Sequence, residues 1–306
     1  LFRSFSDQHL SDVDLAWSGN KYGAVWCKFD PYVEDIVSFL LLDSNGNPIS
    51  TPEELACEGC NPSVNWDGND QEYFIGMDTE TGDFGYTRFD FNGNPIGDSH
   101  SIISENGIID RDFIMGDTTY VLFYNKTSEI SFTKVLSDGS TTSNTIIDDP
   151  LDSYEYIDAL WTGTNYALAI TRQVSGEEPN FEVFHYLLDT SGNIINSDWI
   201  SDRDAFEVDY YPKLVWASTA VGFGCIWADA RDHTDVSYFP PAEVYFSGIS
   251  YQGNRIGQNI RIMDINPPDD YQDTYHYDLA WNGTVFGIVV IEFYAFQGPN
   301  HQYYQD

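Results

Sequence analysis

The stretch Asp14-Leu-Ala-Trp-Ser-Gly-Asn-Lys-Tyr-Gly-Ala-Val-Trp26 returns 264 positions later as Asp278-Leu-Ala-Trp-Asn-Gly-Thr-Val-Phe-Gly-Ile-Val-Val290, with seven of thirteen positions identical. Each copy reads as an apolar strand ending in Trp, a short Gly-containing turn and a second apolar strand, the pattern of a β-hairpin. A hairpin that recurs near both ends restricts the chain to architectures assembled from like pieces, so weaker copies are expected between them.

Four more are found. Asn65-Trp66-Asp67-Gly68 leads into Tyr73 to Met77, and Asp112 to Met115 leads into Tyr120 to Tyr124, with Met115 where Trp is expected. Asp158 to Trp161 leads into Tyr166 to Ile170, and Lys213 to Trp216 leads into Gly222 to Trp227. The anchors Trp17, Trp66, Met115, Trp161, Trp216 and Trp281 stand 49, 49, 46, 55 and 65 residues apart. After each of the first five hairpins comes a third apolar strand that runs into a polar turn at Gly46, Gly93, Gly139, Gly192 or Gly253, and then a short fourth strand. Asn-Gly and Asp-Gly pairs supply the positive backbone angles that such turns need. Four antiparallel strands per repeat of this length form the blade of a β-propeller.

The expected fold is therefore all-β: residues 1–306 as a single six-bladed β-propeller of four-stranded antiparallel blades. The sixth repeat stops before its fourth strand, and Leu1-Phe-Arg-Ser-Phe5 resembles the fourth strands elsewhere. The N-terminal strand is thus expected to complete the C-terminal blade, pairing an edge that would otherwise stay open. Thr51 to Glu58 is the one stretch compatible with a turn or two of helix.

Composition excludes several classes. Thirteen basic against 49 acidic residues, net −36, rule out a phosphate-binding face and so nucleic acid as a partner. No run of 18 apolar residues is present, so membrane insertion is not expected. The acidity fits solubility in a salty medium, or Asp-rich loops that bind calcium, and both place the protein outside the cell or on its surface. Cys57-Glu-Gly-Cys60 lacks the matching half of a zinc site and is expected to close a local disulfide, with Cys27 and Cys225 as buried thiols. Asn125-Lys-Thr and Asn282-Gly-Thr match glycosylation sequons. With no initiator Met or signal peptide, the chain reads as a mature or excised segment.

In a propeller the short first-to-second and third-to-fourth turns share one face. The longer connections, including 30–35, 78–83, 174–180, 229–241 and 294–300, emerge opposite, where binding residues concentrate. Two constellations converge there. Three residues before the anchors stand Asp14, Ser63, Asp112, Asp158, Lys213 and Asp278, so Asp14, Asp112, Asp158 and Asp278 are candidate calcium ligands around a central opening. Carboxylates about 8 Å apart at an effective dielectric near 20 repel by roughly 2 kcal/mol per pair, which Lys213, a cation or a proton would offset. Equally, each Asp can satisfy backbone donors in its own turn. The second constellation is aromatic: Tyr154, Tyr156, Tyr210, Tyr211, Tyr275 and Tyr277 lie in the lead-ins to the innermost strands, as platforms for sugar rings or a protein partner, or as wedges between blades.

The repeat is similar to those of six-bladed β-propellers of secreted and surface bacterial proteins, in which Trp-x-Gly turns and a run like Trp227-Ala-Asp-Ala-Arg-Asp232 recur. Sialidases are disfavoured by the lack of their Ser-x-Asp-x-Gly-x-Thr-Trp box and of an arginine triad, and the Gly-His and Trp-Asp pairing of the WD type is absent. The Asp ring resembles the calcium-holding channel of propeller lactonases and phosphotriesterases. The leading expectation is an extracellular or cell-surface binding module that holds a glycan or protein on its long-loop face, with calcium assistance. The alternatives are a calcium-dependent hydrolase with an Asp-lined channel, and a subunit of a larger surface assembly.

Overall fold

A computed structural model describes residues 9–29, 35–57, 61–78, 83–104, 107–116, 118–136, 139–150, 152–173, 181–202, 209–231, 242–262, 272–294, 296–297 and 303–304. Every regular element among them is a strand. The first repeat gives β1 (His9–Trp17), β2 (Lys21–Phe29), β3 (Ile36–Asp43) and β4 (Glu53–Ala56), and the second gives β5 (Ser63–Asp67), β6 (Glu72–Asp78), β7 (Phe84–Asp90) and β8 (His100–Ile103). The third contains β9 (Asp110–Met115), β10 (Tyr120–Lys126), β11 (Glu129–Val135) and β12 (Thr141–Asp148). The fourth contains β13 (Ser153–Trp161), β14 (Tyr166–Gln173), β15 (Phe181–Leu188) and β16 (Ile194–Trp199), and the fifth β17 (Asp209–Ser218), β18 (Gly222–Asp229), β19 (Glu243–Ile249) and β20 (Arg255–Arg261). The last repeat gives the hairpin β21 (Gln272–Trp281) and β22 (Phe286–Tyr294), followed by the short pair β23 (Phe296–Gln297) and β24 (Tyr303–Tyr304).

The first five repeats are antiparallel four-stranded sheets in simple sequential order, the blades of a β-propeller. Residues 1–8, expected to close the last blade, lie outside the described residues. So do most of the long connections expected to carry function. The stretch considered for helix instead supplies the outer strand β4, paired from Ile36↔Ala56 to Phe39↔Glu53. A single isolated helical turn is costly to nucleate, and the free edge of β3 offers a ready ladder.

The repeated Trp has a structural reason. Trp17, Trp161, Trp216 and Trp281 stand opposite the aromatic that opens the next strand: Tyr22, Tyr166, Phe223 and Phe286. With Trp66 and Tyr73, these rings lie 4.4 to 4.7 Å apart between centroids. Such cross-strand pairs fix hairpin register. At Met115 the pair is lost, and Tyr120 stacks on Phe74 of the preceding sheet, its hydroxyl donating to Asp67 at 3.1 Å.

The chain divides into two compact units: Leu1–Asn106, Phe113–Leu122 and Thr133–Ser143 in one, Gly107–Asp112, Phe123–Phe132 and Asn144–Asp306 in the other. The first is centred on Val25, Phe39, Leu41, Tyr73, Ile75 and Phe89. The second has one core around Val183, Leu187, Phe223 and Trp227 and another around Tyr210, Ile226, Val244 and Tyr277. β18 is buried at every position, as suits a strand covered on both faces.

Candidate functional site

The acids of the inner strands act as struts between neighbouring sheets. In the first unit, Asp14 Oδ2 accepts the Val64 amide at 2.8 Å and Oδ1 accepts the Leu15 amide. In the second unit, Asp112 Oδ2 accepts the Ala159 amide at 2.7 Å and Asp158 Oδ2 accepts the Leu214 amide at 2.7 Å. Each accepted amide belongs to the residue one beyond the equivalent position of the next repeat. Where the second repeat has Ser63 instead, Asn65 takes over, accepting the Met115 amide and donating to Phe113 O. The donors expected in each Asp's own turn thus come largely from the adjacent sheet.

All four candidate calcium ligands carry backbone or lysine partners. Three have an oxygen committed to a backbone amide, and the second oxygen of Asp158 holds Lys213 Nζ at 2.9 Å. Asp278 Oδ1 accepts the Leu279 amide. The charge of Asp158, with Asp112 and Asp278 behind it, holds the Lys213 ammonium above the usual lysine range. Among the described residues no group of three or more His, Cys, Asp or Glu is arranged to hold a metal ion. A lysine already supplies the compensating charge that a cation would bring.

A second recurrent feature is a bulge near the start of the inner strands. Register breaks between Ser11 and Asp14, Glu155 and Ile157, Tyr210 and Lys213, and Asp273 and His276. Asp12, Tyr156 and Tyr211 take positive φ there, at 51°, 30° and 50°. Bulky side chains rarely adopt this conformation, and a bulge re-aims the side chain it carries. Here it brings two phenols together: the rings of Tyr156 and Tyr211 lie 4.1 Å apart, with Tyr210 at 6.3 Å from Tyr156. Both bulged tyrosines are half-buried, whereas Tyr210 is buried. Burial and the hydrogen bond with Tyr211 push the Tyr156 phenol up, and burial pushes Tyr210 up to about 12 and raises Glu155 beside them.

Tyr277 holds this bulge from behind. Its buried hydroxyl accepts the Ala228 amide at 2.8 Å and lies 2.6 Å from Tyr211 O and 2.9 Å from Tyr210 O, to one of which it donates. Tyr154 is fully buried and accepts Asn125 Nδ2 on its carbonyl at 2.7 Å. Of the six tyrosines expected to bind ligand, Tyr156 and Tyr211 therefore present ring surface together, Tyr154, Tyr210 and Tyr277 pack inside, and the Tyr275 side chain lies outside the described residues.

Behind the tyrosines is a set of buried acids that the sequence pattern does not reveal. Asp209, Asp229 and Glu243 sit side by side across β17, β18 and β19, and all are buried, as is Glu182 on β15. Trp227-Ala-Asp229-Ala-Arg231 supplies most of the compensation: Trp227 Nε1 donates to Asp229 at 2.8 Å, and Arg231 binds Asp229 and Asp202 while stacking over Tyr245 at 4.2 Å. Arg261 pairs with Glu243, and Ser201 donates its hydroxyl proton to Glu182. Among the described residues neither Asp209 oxygen completes a hydrogen bond, although the Ser201 hydroxyl lies close by. The Trp-Ala-Asp-x-Arg run was a visible signal, but only strand register shows which acids it faces.

Cysteine usage departs from expectation. Cys57 is a free thiol buried beside Val37 and Val64, and burial pushes it up to about 11. Cys27 is disulfide-bonded, and Cys225 is free. The local Cys57–Cys60 bridge is therefore not formed, because Cys57 follows the outer strand into the apolar core. The sequons separate as well: Asn125 is fully buried and inaccessible to a glycan, whereas Asn282 is exposed in a hairpin turn. No helix among the described residues is long and apolar enough to cross a membrane.

No family model matches the chain, and no curated protein matches it. Among solved structures, a protein from Lactobacillus plantarum is similar at 12% identity and TM-score 0.57, over 95% of this chain and 82% of that one. The β-propeller domain of the Trilobed protease from Pyrococcus furiosus, described as having an open velcro topology, is similar at 10% identity and TM-score 0.52, over 94% of this chain and 83% of that one. The catalytic domain of an α-L-arabinofuranosidase from Coprinopsis cinerea aligns over 80% of this chain and 93% of that one at 9% identity and TM-score 0.48, too low to bear on function. At these identities the likeness shows the β-propeller fold and no activity.

Proposed function

We propose that this protein is an extracellular or cell-surface binding module that takes a glycan across the Tyr156 and Tyr211 rings. One observation carries the reading: two phenols from neighbouring sheets lie 4.1 Å apart, and both sit on strained positive-φ backbone. Strain of that kind is retained where the surroundings enforce it, and it gathers at binding sites. A tyrosine pair offers apolar faces for the C–H side of a sugar ring and hydroxyl tips for its oxygens. Glu155, on the same bulge, adds an acceptor for sugar hydroxyls. The Cys27 disulfide supports an oxidising compartment.

The test is a printed oligosaccharide array probed with the wild type, Tyr156→Ala and Tyr211→Ala. Loss of a wild-type signal in either variant, with the melting temperature within a few degrees, supports the site. Undiminished binding moves it elsewhere. Binding of a protein ligand instead, lost in the same variants, would keep the site and change its ligand class.

A further inference from the structure

We propose that the protonation state of Asp209 gates the tyrosine site, so that ligand is held more tightly as the pH falls. The proposal rests on the binding role of Tyr156 and Tyr211 and adds its regulation.

Asp209 opens β17 and directly precedes Tyr210 and Tyr211. It is fully buried and stands opposite the equally buried Asp229 of β18. From β15 it is faced by Glu182, and from the segment after β16 by Ser201. β18 adds Cys225, the segment after β18 adds Arg231, β19 adds Glu243 across Asp229, and β21 adds the Tyr277 hydroxyl. Among these described groups the cations are already engaged: Arg231 with Asp229 and Asp202, Arg261 with Glu243. The one nearby hydroxyl, Ser201, gives its proton to Glu182. Among the described residues no donor completes a hydrogen bond to either Asp209 oxygen, and the pull of Ser201 and Arg231 is outweighed by burial and the neighbouring acids, so the compact arrangement is that of the neutral acid. Burial, then the charges of Asp229 and Glu182, push its carboxyl well above the usual range.

Ionisation would set Asp209 against Asp229 and Glu182 in a water-poor surrounding. The relief open to it is to draw the start of β17 away from β18, breaking the pairs Asp209↔Asp229 and Tyr210↔Ala228. Those pairs abut the clasp in which Tyr277 joins the Ala228 amide to the Tyr210 and Tyr211 carbonyls. A slackened clasp releases the Tyr211 bulge and separates its ring from Tyr156. One linked proton limits the effect to about tenfold in affinity per pH unit.

The test compares the wild type, Asp209→Asn and Tyr277→Phe between pH 6.5 and pH 8, above the range in which His185 changes stability. Three readouts are taken: melting temperature, near-ultraviolet circular dichroism of the tyrosines, and binding to the oligosaccharide array. In the wild type, melting temperature, tyrosine signal and binding should all fall as the pH rises. In Asp209→Asn the low-pH values of all three should persist to pH 8. In Tyr277→Phe the melting temperature should keep its pH slope while the tyrosine signal loses its own, since Asp209 still titrates but no longer reaches the bulge. Identical slopes in the wild type and Asp209→Asn overturn the proposal, as does an unchanged tyrosine slope in Tyr277→Phe. If the two unliganded readouts behave as stated and the array stays blank, the switch stands and the glycan reading falls.

Discussion

His185 is fully buried on β15, lying against Phe223 and the Gly253 turn, whose backbone is a polar group beside its ring. Burial lowers its pKa from 6.5 to about 4. The unfolded chain therefore binds the extra proton first, and the stability that depends on a neutral ring is intact above pH 6.5 and lost as the pH falls from 6.5 towards 4. The loss amounts to about 3 kcal/mol on that linkage. His185→Leu is expected to flatten this acid limb in urea denaturation series at pH 4, 5 and 6.5, and an unchanged limb would place the acid sensitivity elsewhere. Lys213 makes a second prediction at this scale. Its side chain is 47% exposed, so replacing it with Met should cost only about 1 kcal/mol, and added salt should recover most of that. Because Lys213 already balances Asp158, EDTA should leave the wild-type melting temperature unchanged. A drop of several degrees would instead support a cation bound at the inner strands.

Hairpin turns and bulges differ in how openly a sequence declares them. The Asp-x-x-Gly-Asn turns at Asp43, Asp90 and Asp189 are written out in residue types, and in each the carboxylate accepts the amides two and four residues on. Gly46 sits in one of them at φ +80° with open space around it, so Gly46→Ala tests backbone conformation alone. The expected loss is about 1 to 2 kcal/mol by chemical denaturation. The Trp anchors were equally legible, because a Trp and an aromatic flanking a Gly turn are needed to pair across it. The bulges were not, since nothing in Glu155-Tyr156-Ile157 or Tyr210-Tyr211-Pro212 announces a positive φ at tyrosine. That conformation is imposed from outside the strand by contacts such as the Tyr277 hydroxyl. The buried acids were hidden for a related reason: Asp209, Asp229 and Glu243 are 20 and 14 residues apart in sequence and meet only through strand register. Cys57 misled because spacing alone favoured Cys60, while the fold sends Cys57 inward.

A net charge of −36 on 306 residues works against any compact state through self-repulsion. Raising sodium chloride from about 10 mM to 1 M shortens the screening length from roughly 30 Å to 3 Å and should raise the melting temperature by several degrees. A flat response would mean that local ion pairs already neutralise the field. The carboxylate struts bear on how such a chain assembles. Asp14 reaches Val64, Asp112 reaches Ala159 and Asp158 reaches Leu214, each only 47 to 56 residues ahead. A nascent chain leaving the ribosome could thus fasten each finished sheet to its successor as soon as that successor emerged. Acidic side chains that repel one another in the unfolded polymer would be consumed one latch at a time, in the order of synthesis.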